Sequence, residues 1–176
     1  MAEIIIAGFG GQGVLVLGQM ITYSGMIEDK AVSWFPSYGP EQRGGTCNCS
    51  VVIAEDEIGS PLVTVPTTAI VMNAPSFDRF EPKVGKGGLL IYNSSLIDKK
   101  SERDDIRVIA VPANQIADEL GNARVANMVL LGTLLEATNV VKTESVEKAL
   151  KNVLSERHHD LIPLNMQALE RGRAYQ

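Results

Sequence analysis

A short glycine-rich segment near the start of the chain has the spacing of an anion-binding turn. Residues 8–13 read Gly-Phe-Gly-Gly-Gln-Gly, after an apolar run at 3–7 and before a run with helical spacing from Val14. Glycines let the backbone turn tightly, and the N-terminus of the following helix offers unpaired N–H groups to an anion. The candidate site residues of this turn are Gly8, Gly10, Gly11, Gln12 and Gly13.

One part of the dinucleotide-binding pattern is absent. Such a site needs an acid at the end of the second strand to hold the ribose hydroxyls. The predicted second strand, 31–35, is followed by Pro36 and Ser37, whereas Glu28 and Asp29 precede it. NAD or FAD binding is therefore disfavoured. Three interpretations of the glycines remain: close packing of the helix on the sheet, a phosphate-bearing ligand, or contact with a partner's backbone.

A second polar segment, 36–45, follows the predicted second strand. In a parallel sheet this loop lies at the same carboxyl edge as the glycine turn, where ligands and partners meet the sheet. The segment combines an aromatic residue, an acid and an arginine with glycines, and its candidate residues are Tyr38, Glu41, Arg43 and Gly44. Arg43 is the strongest candidate because a guanidinium pairs bidentately with a carboxylate or phosphate. The alternative is a solvated turn with an Arg–Glu pair.

The cysteines and histidines predict no metal or catalytic centre in this chain. Cys47 and Cys49 are one residue apart on a predicted strand, so both project from one face and are poorly placed for a disulfide. His158 and His159 are adjacent in a predicted polar loop, which is a weak arrangement for a metal ligand set. No nucleophile and base have a catalytic pattern, so we predict no catalytic residue here.

The remaining periodicity predicts an α/β protein. Strands are expected at 46–54, 69–72, 88–92 and 107–111, and helices at 75–80, 114–120, 125–137, 143–155 and 165–174. Thr143 is the predicted N-cap of its helix. With the β-α-β start, these elements predict a single Rossmann-like three-layer domain over 1–176, with a mostly parallel sheet and a helical C-terminal third.

The helix predicted at 125–137 is apolar almost all round. Such a helix is either buried in its own chain or covered by a partner, which includes a second copy in a homodimer. Asn127, near its start, is predicted to lie at the same edge as the glycine turn. An N-cap-like or helix-surface position is the alternative for this residue.

The composition excludes several classes of function. The net charge is −5 at pH 7 with no run of basic residues, so we expect no nucleic-acid partner. No apolar stretch approaches the ~20 residues of a bilayer span, and the acid at Glu3 argues against a signal peptide. Together with cysteines that we expect to stay reduced, this predicts a cytoplasmic protein without membrane contact.

The two glycine-rich segments together resemble the gamma subunit of 2-oxoacid:ferredoxin oxidoreductases. The likeness extends through Val71-Met72-Asn73 and the helix that contains Asn127. The string at 39–49, Gly-Pro-Glu-x-Arg-Gly-Gly-Thr-x-Asn-Cys, is more similar to the 2-oxoglutarate type than to the pyruvate type. Gamma chains of branched-chain and aryl-pyruvate enzymes are related.

This resemblance implies a complex that oxidatively decarboxylates a 2-oxoacid with coenzyme A, giving an acyl-CoA and carbon dioxide. In that family thiamine diphosphate with magnesium performs the carbon chemistry, and iron–sulfur clusters pass electrons to ferredoxin. A [4Fe–4S] cluster needs four thiolates, and this chain has two cysteines. We therefore expect these cofactors in the complex and none held by this chain alone.

The implied partners are the alpha and beta subunits, with or without a delta subunit, and ferredoxin through the complex. The site residues would face the subunits that carry thiamine diphosphate, and Arg43 would contact coenzyme A, the 2-oxoacid or an acid on a partner. The chain would shape the subunit interface and access of coenzyme A, and would be inactive alone. Two alternatives are a stand-alone Rossmann-type nucleotide-binding oxidoreductase and a purely structural interaction module.

Overall fold

The computed structural model describes residues 1–39 and 45–175 and has an α/β fold with a helical C-terminal third. The elements in chain order are β1 (Ala2–Phe9), α1 (Val14–Ile27), β2 (Ala31–Tyr38), β3 (Thr46–Ala54), β4 (Thr68–Val71), α2 (Ala74–Phe80), β5 (Leu89–Asn93), β6 (Arg107–Val111), α3 (Ala113–Glu119), α4 (Ala126–Thr138), α5 (Thr143–Val153) and α6 (Ile162–Arg173). Short 3-10 helices lie at Glu81–Lys83, Ala123–Val125 and Glu156–Leu161. The last of these holds both histidines, which were predicted to lie in a loop.

The described strands form a six-stranded sheet in the order β2-β3-β1-β4-β5-β6. β1 pairs in parallel with β4, and the parallel pairing continues to β5 and β6. β3 is antiparallel to both β1 and β2, so β1 and β2 run in the same direction with β3 between them. The predicted mostly parallel sheet is confirmed, and its exception is the hairpin return through β3.

The second strand is longer than the sequence predicts. The expected end was Phe35, but β2 continues to Tyr38, which pairs with Cys47 of β3. Proline lacks the N–H that a central strand needs, yet Pro36 is tolerated because β2 is an edge strand with one unpaired side. The polar loop therefore starts after Tyr38 and not at Pro36.

Helices cover both faces of the sheet, which confirms the three-layer arrangement. Side chains alternate between faces along a strand. Ile4 and Ile6 of β1 pack in the core shared with α1, α4, α5 and α6, whereas Ile5 and Ala7 pack with Phe77 of α2. The central strands are thus buried on both sides, as parallel strands usually are.

The apolar helix α4 is buried within its own chain. Its residues Asn127 to Leu135 are all buried, and α6 packs along it. The helix ends at Thr138, and its C-cap Asn139 has a left-handed backbone with φ of 51°. The apolar character of α4 is therefore explained without a second copy. Among the described residues, no helix is long and apolar enough to cross a membrane.

The prediction that Thr143 caps α5 is wrong. Thr143 is the first residue inside the helix, and the N-cap is Lys142, whose side chain makes no capping bond. The Thr143 hydroxyl instead accepts a hydrogen bond from the Arg173 guanidinium at 3.3 Å. Arg173 of α6, distant in sequence, therefore contacts the hydroxyl that the local pattern assigned to the N-cap.

Candidate functional site

The glycine segment forms a tight turn between β1 and α1. Gln12 N–H donates to the Phe9 carbonyl at 3.2 Å, and Leu17 N–H donates to the Gly13 carbonyl at 2.9 Å as α1 begins. Gly11 and Gly13 have φ of 96° and 81°, in the left-handed region that favours glycine. The predicted strand–turn–helix is present, and Gly13 is the N-cap of α1.

The Gln12 side chain turns back onto the chain. Its Oε1 accepts a hydrogen bond from Phe9 N–H at 2.6 Å, and its Nε2 donates to the Met72 carbonyl at 3.2 Å. Met72 directly follows β4, so the amide links the ends of two neighbouring strands. A β-carbon at Gly8 would lie 2.6 Å from Gln12 Oε1. Glycine at position 8 thus leaves room for this amide.

Asn127 lies on the other side of the same turn. It is 6% exposed, and its Nδ2 lies 3.5 Å from the Gly13 carbonyl oxygen. A β-carbon at Gly13 would lie 2.5 Å from that Nδ2, so the two residues are in close contact. Asn127 therefore lies at the same edge as the glycine turn, and its part in binding stays a prediction. The alternative is wrong, because Val125 is the N-cap and Asn127 is buried.

A cavity of about 520 Å³ opens beside this turn. Gly11, Gln12, Gly13 and Asn127 all contribute to its wall, together with Met72 after β4. The α1 connection leads from β1 to β2 on one side, and the α2 connection leads from β4 to β5 on the other. The cavity therefore lies at the point where the connections diverge, the usual ligand position in open α/β sheets.

The wall of the cavity is rich in amides. Its asparagines are Asn93, Asn114, Asn122, Asn127 and Asn165. Asn93 Nδ2 donates to Asn114 Oδ1 at 2.7 Å, and Asn93 Oδ1 accepts from the Ala113 N–H at 3.2 Å, where α3 begins. These contacts hold the wall near β5 in place. Amides supply both donors and acceptors to a ligand.

The ionisable groups of the cavity favour an anion. Among the described residues that line it, none is an acid, and the ionisable side chains are Arg124 and His158. The Arg124 backbone N–H is held by Asn122 Oδ1 at 3.0 Å, while no described residue pairs with its guanidinium. No acid occupies the first turn of α1. The helix N-terminus and Arg124 therefore present positive potential to the cavity.

The second predicted loop meets the first at this edge. Gly10 N–H donates to the Gly45 carbonyl at 3.0 Å, which joins the glycine turn to the start of β3. Tyr38 is 68% exposed and lies outside the cavity wall. Glu41, Arg43 and Gly44 lie outside the described residues. Of the two predicted loops, the glycine turn therefore contributes described residues to the cavity wall, and Tyr38 of the second loop does not.

The hairpin also explains why the ribose-binding acid is missing. In a dinucleotide site the end of the second strand is next to the glycine turn. Here β3 lies between β1 and β2, so a side chain at the end of β2 is two strand positions away. The topology and the absence of an acid at that position agree. Both disfavour NAD or FAD.

The cysteines do not form a cluster site. Cys47 and Cys49 lie on the same side of β3, as predicted, and both are buried and free of disulfides. Burial raises the pKa of Cys49 to about 12 and also raises that of Cys47. In the part of the chain that is described, no group of His, Cys, Asp or Glu could hold a metal ion. These residues fit neither an iron–sulfur cluster nor a magnesium-bound diphosphate.

Sequence reasoning missed Arg124 and the asparagines other than Asn127. A usable signal was present, because an asparagine stands at or shortly after the end of β4, β5 and β6: Asn73, Asn93 and Asn114. The first of these is not a cavity residue. Its Oδ1 accepts from Ser76 N–H at 2.9 Å and caps α2. Arg124 had no local signal, since only the fold brings its segment to the glycine turn.

Comparisons with known proteins agree with this architecture. The family model described as pyruvate ferredoxin/flavodoxin oxidoreductase matches residues 3–175. A solved structure described as the gamma subunit of a keto/oxoacid ferredoxin oxidoreductase from Geobacter sulfurreducens has a TM-score of 0.81 at 28% identity. The match covers 98% of this chain and 96% of that one.

Two curated relatives are similar over most of the chain. The ketoisovalerate oxidoreductase subunit VorA of Methanothermobacter marburgensis is 40% identical over 95% of this chain, which spans only 35% of that relative. The 2-oxoglutarate synthase subunit KorC of the same organism is 36% identical over 85% of this chain and 84% of its own length. By its family match and these relatives, the chain belongs to the pyruvate ferredoxin/flavodoxin oxidoreductase family.

Proposed function

We propose that the chain is the gamma subunit of a coenzyme A-dependent 2-oxoacid:ferredoxin oxidoreductase. The reaction converts a 2-oxoacid and coenzyme A to an acyl-CoA and carbon dioxide, and the electrons released pass to ferredoxin. The observation that carries the proposal is the cavity beside the glycine turn, whose described wall is rich in amides and contains no acid, in a chain whose family match runs from 3 to 175. Thiamine diphosphate, magnesium and iron–sulfur clusters would be bound by the alpha, beta or delta subunits.

The chemistry of the cavity supports contact with coenzyme A. That molecule carries several phosphates on one end and two amides along its pantetheine arm. Arg124 and the N-terminus of α1 suit the phosphates, and the asparagine side chains suit the amides. A volume of about 520 Å³ is in the range of small-molecule sites.

The role of this chain is binding and shielding. Its buried thiols are protonated, and the described cavity wall contains no carboxylate to act as a general base. Asn127, held against Gly13, would orient the ligand, while Leu130 and Leu154 of the wall would exclude water. Glu41, Arg43 and Gly44 would extend this surface towards the partner subunits.

The exposed side of α1 supports a subunit interface. α1 contains no charged residue, and its outer side exposes Val16 near the glycine turn and Tyr23 and Met26 towards its other end. A helix that is apolar all round is normally covered. We assign its cover to the subunits that bind thiamine diphosphate, in a cytoplasmic complex that ferredoxin can reach.

The 2-oxoacid is proposed to be 2-oxoglutarate. The string at 39–49 resembles the 2-oxoglutarate type, and the KorC relative is named for that substrate. The VorA relative is named for ketoisovalerate, which is the main competitor. Values of kcat/KM for 2-oxoglutarate, ketoisovalerate and pyruvate decide between them. A preference for ketoisovalerate would refute the substrate but not the reaction class.

The function is tested by co-expressing the chain with candidate alpha and beta chains. We expect reduction of ferredoxin that requires the 2-oxoacid, coenzyme A and this chain together. Activity of the chain alone with NAD would instead indicate a stand-alone oxidoreductase. If the complex binds coenzyme A equally well without this chain, the chain is a structural module.

A further inference from the structure

We propose that Gln12 is a positioning residue that shapes the cavity wall and does not itself contact a ligand or partner. The inference rests on the proposed function, because coenzyme A is the ligand used to detect it. It differs from the sequence-based expectation, in which Gln12 faces the cofactor or the partner subunits.

The hydrogen bonds of the Gln12 amide carry the first step. Oε1 accepts from Phe9 N–H at 2.6 Å and Nε2 donates to the Met72 carbonyl at 3.2 Å. The partners determine the orientation of the amide, because an N–H needs an acceptor and a carbonyl needs a donor. Both ends of the side chain are therefore engaged inside the protein.

The backbone of the turn shows why such a link is needed. Gly11 is exposed, and nothing lies within 4 Å of the position that its β-carbon would take. Glycine loses more conformational freedom on folding than any other residue. A turn with glycines at 10, 11 and 13 is therefore held by few side-chain contacts. Gln12 supplies one that spans from β1 to the end of β4.

Gly8 supports the same conclusion from the other side of the amide. A β-carbon there would lie 2.6 Å from Gln12 Oε1 and 3.0 Å from Met72 Cβ. The first glycine of the motif is thus needed for the side chain at position 12, and not only for approach of a ligand. Gln12 and Met72 both line the cavity, so their link determines the shape of that wall.

The test compares Gln12→Met with Gln167→Met in the complete complex, purified without coenzyme A. Gln167 is exposed in α6, outside the cavity wall, and its side chain has no hydrogen bond among the described residues. We expect Gln12→Met to accelerate hydrogen–deuterium exchange at the Phe9 amide and to raise the KM for coenzyme A about tenfold. The kcat should stay within about twofold of the wild-type value, and Gln167→Met should change none of these.

Gln12→Ala is a second variant, which removes both hydrogen bonds without adding bulk or charge to the turn. We expect it, like Gln12→Met, to accelerate exchange at the Phe9 amide and to raise the KM for coenzyme A. This variant keeps the test valid if Gln12→Met fails to assemble.

Two results overturn the inference. Unchanged exchange at Phe9 in Gln12→Met shows that the link is absent, and faster exchange with an unchanged KM shows that the link does not shape the site. Arg124→Gln separates this from failure of the proposed function. If Arg124→Gln raises the KM for coenzyme A and Gln12→Met does not, only the proposed role of Gln12 is refuted. If neither variant raises this KM, the cavity is not the coenzyme A site, and both the role of Gln12 and the proposed coenzyme A contact are refuted.

Discussion

Gly132 of α4 and Gly172 of α6 each lie against the backbone of the other helix. A β-carbon at Gly132 would overlap the carbonyl oxygen of Leu169, and one at Gly172 would overlap the carbonyl oxygen of Val129. The Thr133 hydroxyl donates to the Gly172 carbonyl at 3.0 Å across the same contact. This close approach lets α6 cover α4, and α4 in turn positions Asn127 at the cavity.

We predict that Gly132→Ala and Gly172→Ala each destabilise the chain by at least about 2 kcal/mol, because the helix backbones must separate. In an ordinary helix the same change stabilises by about 1 kcal/mol, so the sign itself is diagnostic. The free energy of unfolding in urea measures the effect. Gly59→Ala is the control, since Gly59 is exposed with nothing near its β-carbon position. Equal stability of all three variants would contradict the close helix contact.

Arg124 is predicted to recognise an anionic part of the ligand. Arg124→Gln should raise the KM for coenzyme A at least about tenfold, because a charge-assisted hydrogen bond in a partly enclosed site is lost. Arg157→Gln makes the same charge change on an exposed residue outside the cavity wall. Steady-state kinetics of the assembled complex compare the two. A similar rise in both variants would indicate long-range electrostatics in place of contact.

The cysteines are predicted to resist alkylation in the folded chain. Burial raises the pKa of Cys49 to about 12, and the thiolate is the reactive form. At pH 8.5 iodoacetamide should label native Cys49 roughly a thousandfold more slowly than the unfolded chain, whose thiols ionise near their ordinary pKa. Mass spectrometry of labelling time courses with and without urea measures this. Rapid labelling of the native protein would show that β3 is not covered as described.

Glu28 is predicted to make stability depend on acid pH. Burial alone would raise the pKa of Glu28, but the Lys142 backbone N–H, Ser145 and Lys30 stabilise the carboxylate and lower the pKa below 4.5. A lowered folded-state pKa contributes stability above the unfolded pKa, and this is lost as pH falls through the folded value. Glu28→Gln should therefore cost about 1 kcal/mol at pH 7 and progressively less below about pH 4.

Urea unfolding at several pH values measures this difference. Glu57→Gln, a change at an exposed acid, serves as the control and should leave the pH dependence as it is in the wild type. A cost of Glu28→Gln that stayed constant down to pH 3 would refute a lowered pKa. The Lys142 N–H lies 2.6 Å from Glu28 Oε1, so the contact joins the end of α1 to the start of α5.

Local patterns predicted most elements, because they depend on neighbours in the chain. The bounds of β3 and β6 agree with the sequence-based ones, since each contains β-branched residues and stands between polar turns. The sequence-based prediction did not include an antiparallel β3, although the length of its connection to β2 implies one. A parallel connection needs about a dozen or more residues, and the segment between β2 and β3 covers only 39–45.

The site was less predictable, because its contacts join distant parts of the chain. Gln12 and Met72 are 60 residues apart, and Asn127 and Gly13 are 114 apart. Asn127 was assigned to this edge from its position near the start of an apolar helix, which does not identify Gly13 as its contact. The sequence-based expectation was that the Gln12 side chain faces a partner subunit. A sequence motif specifies the spacing of residues but not the direction of their side chains, so the internal hydrogen bonds of Gln12 were not predicted.

β3 lies between β1 and β2, and this has a mechanical consequence. β3 is paired along its length on both sides, and Gly45 at its start is bonded to Gly10 of the glycine turn. A displacement at the start of β3 would therefore disturb its pairing with β1, its pairing with β2 and its bond to the glycine turn together. The cavity wall at Gly11 and Gly13 is thus braced by the centre of the sheet.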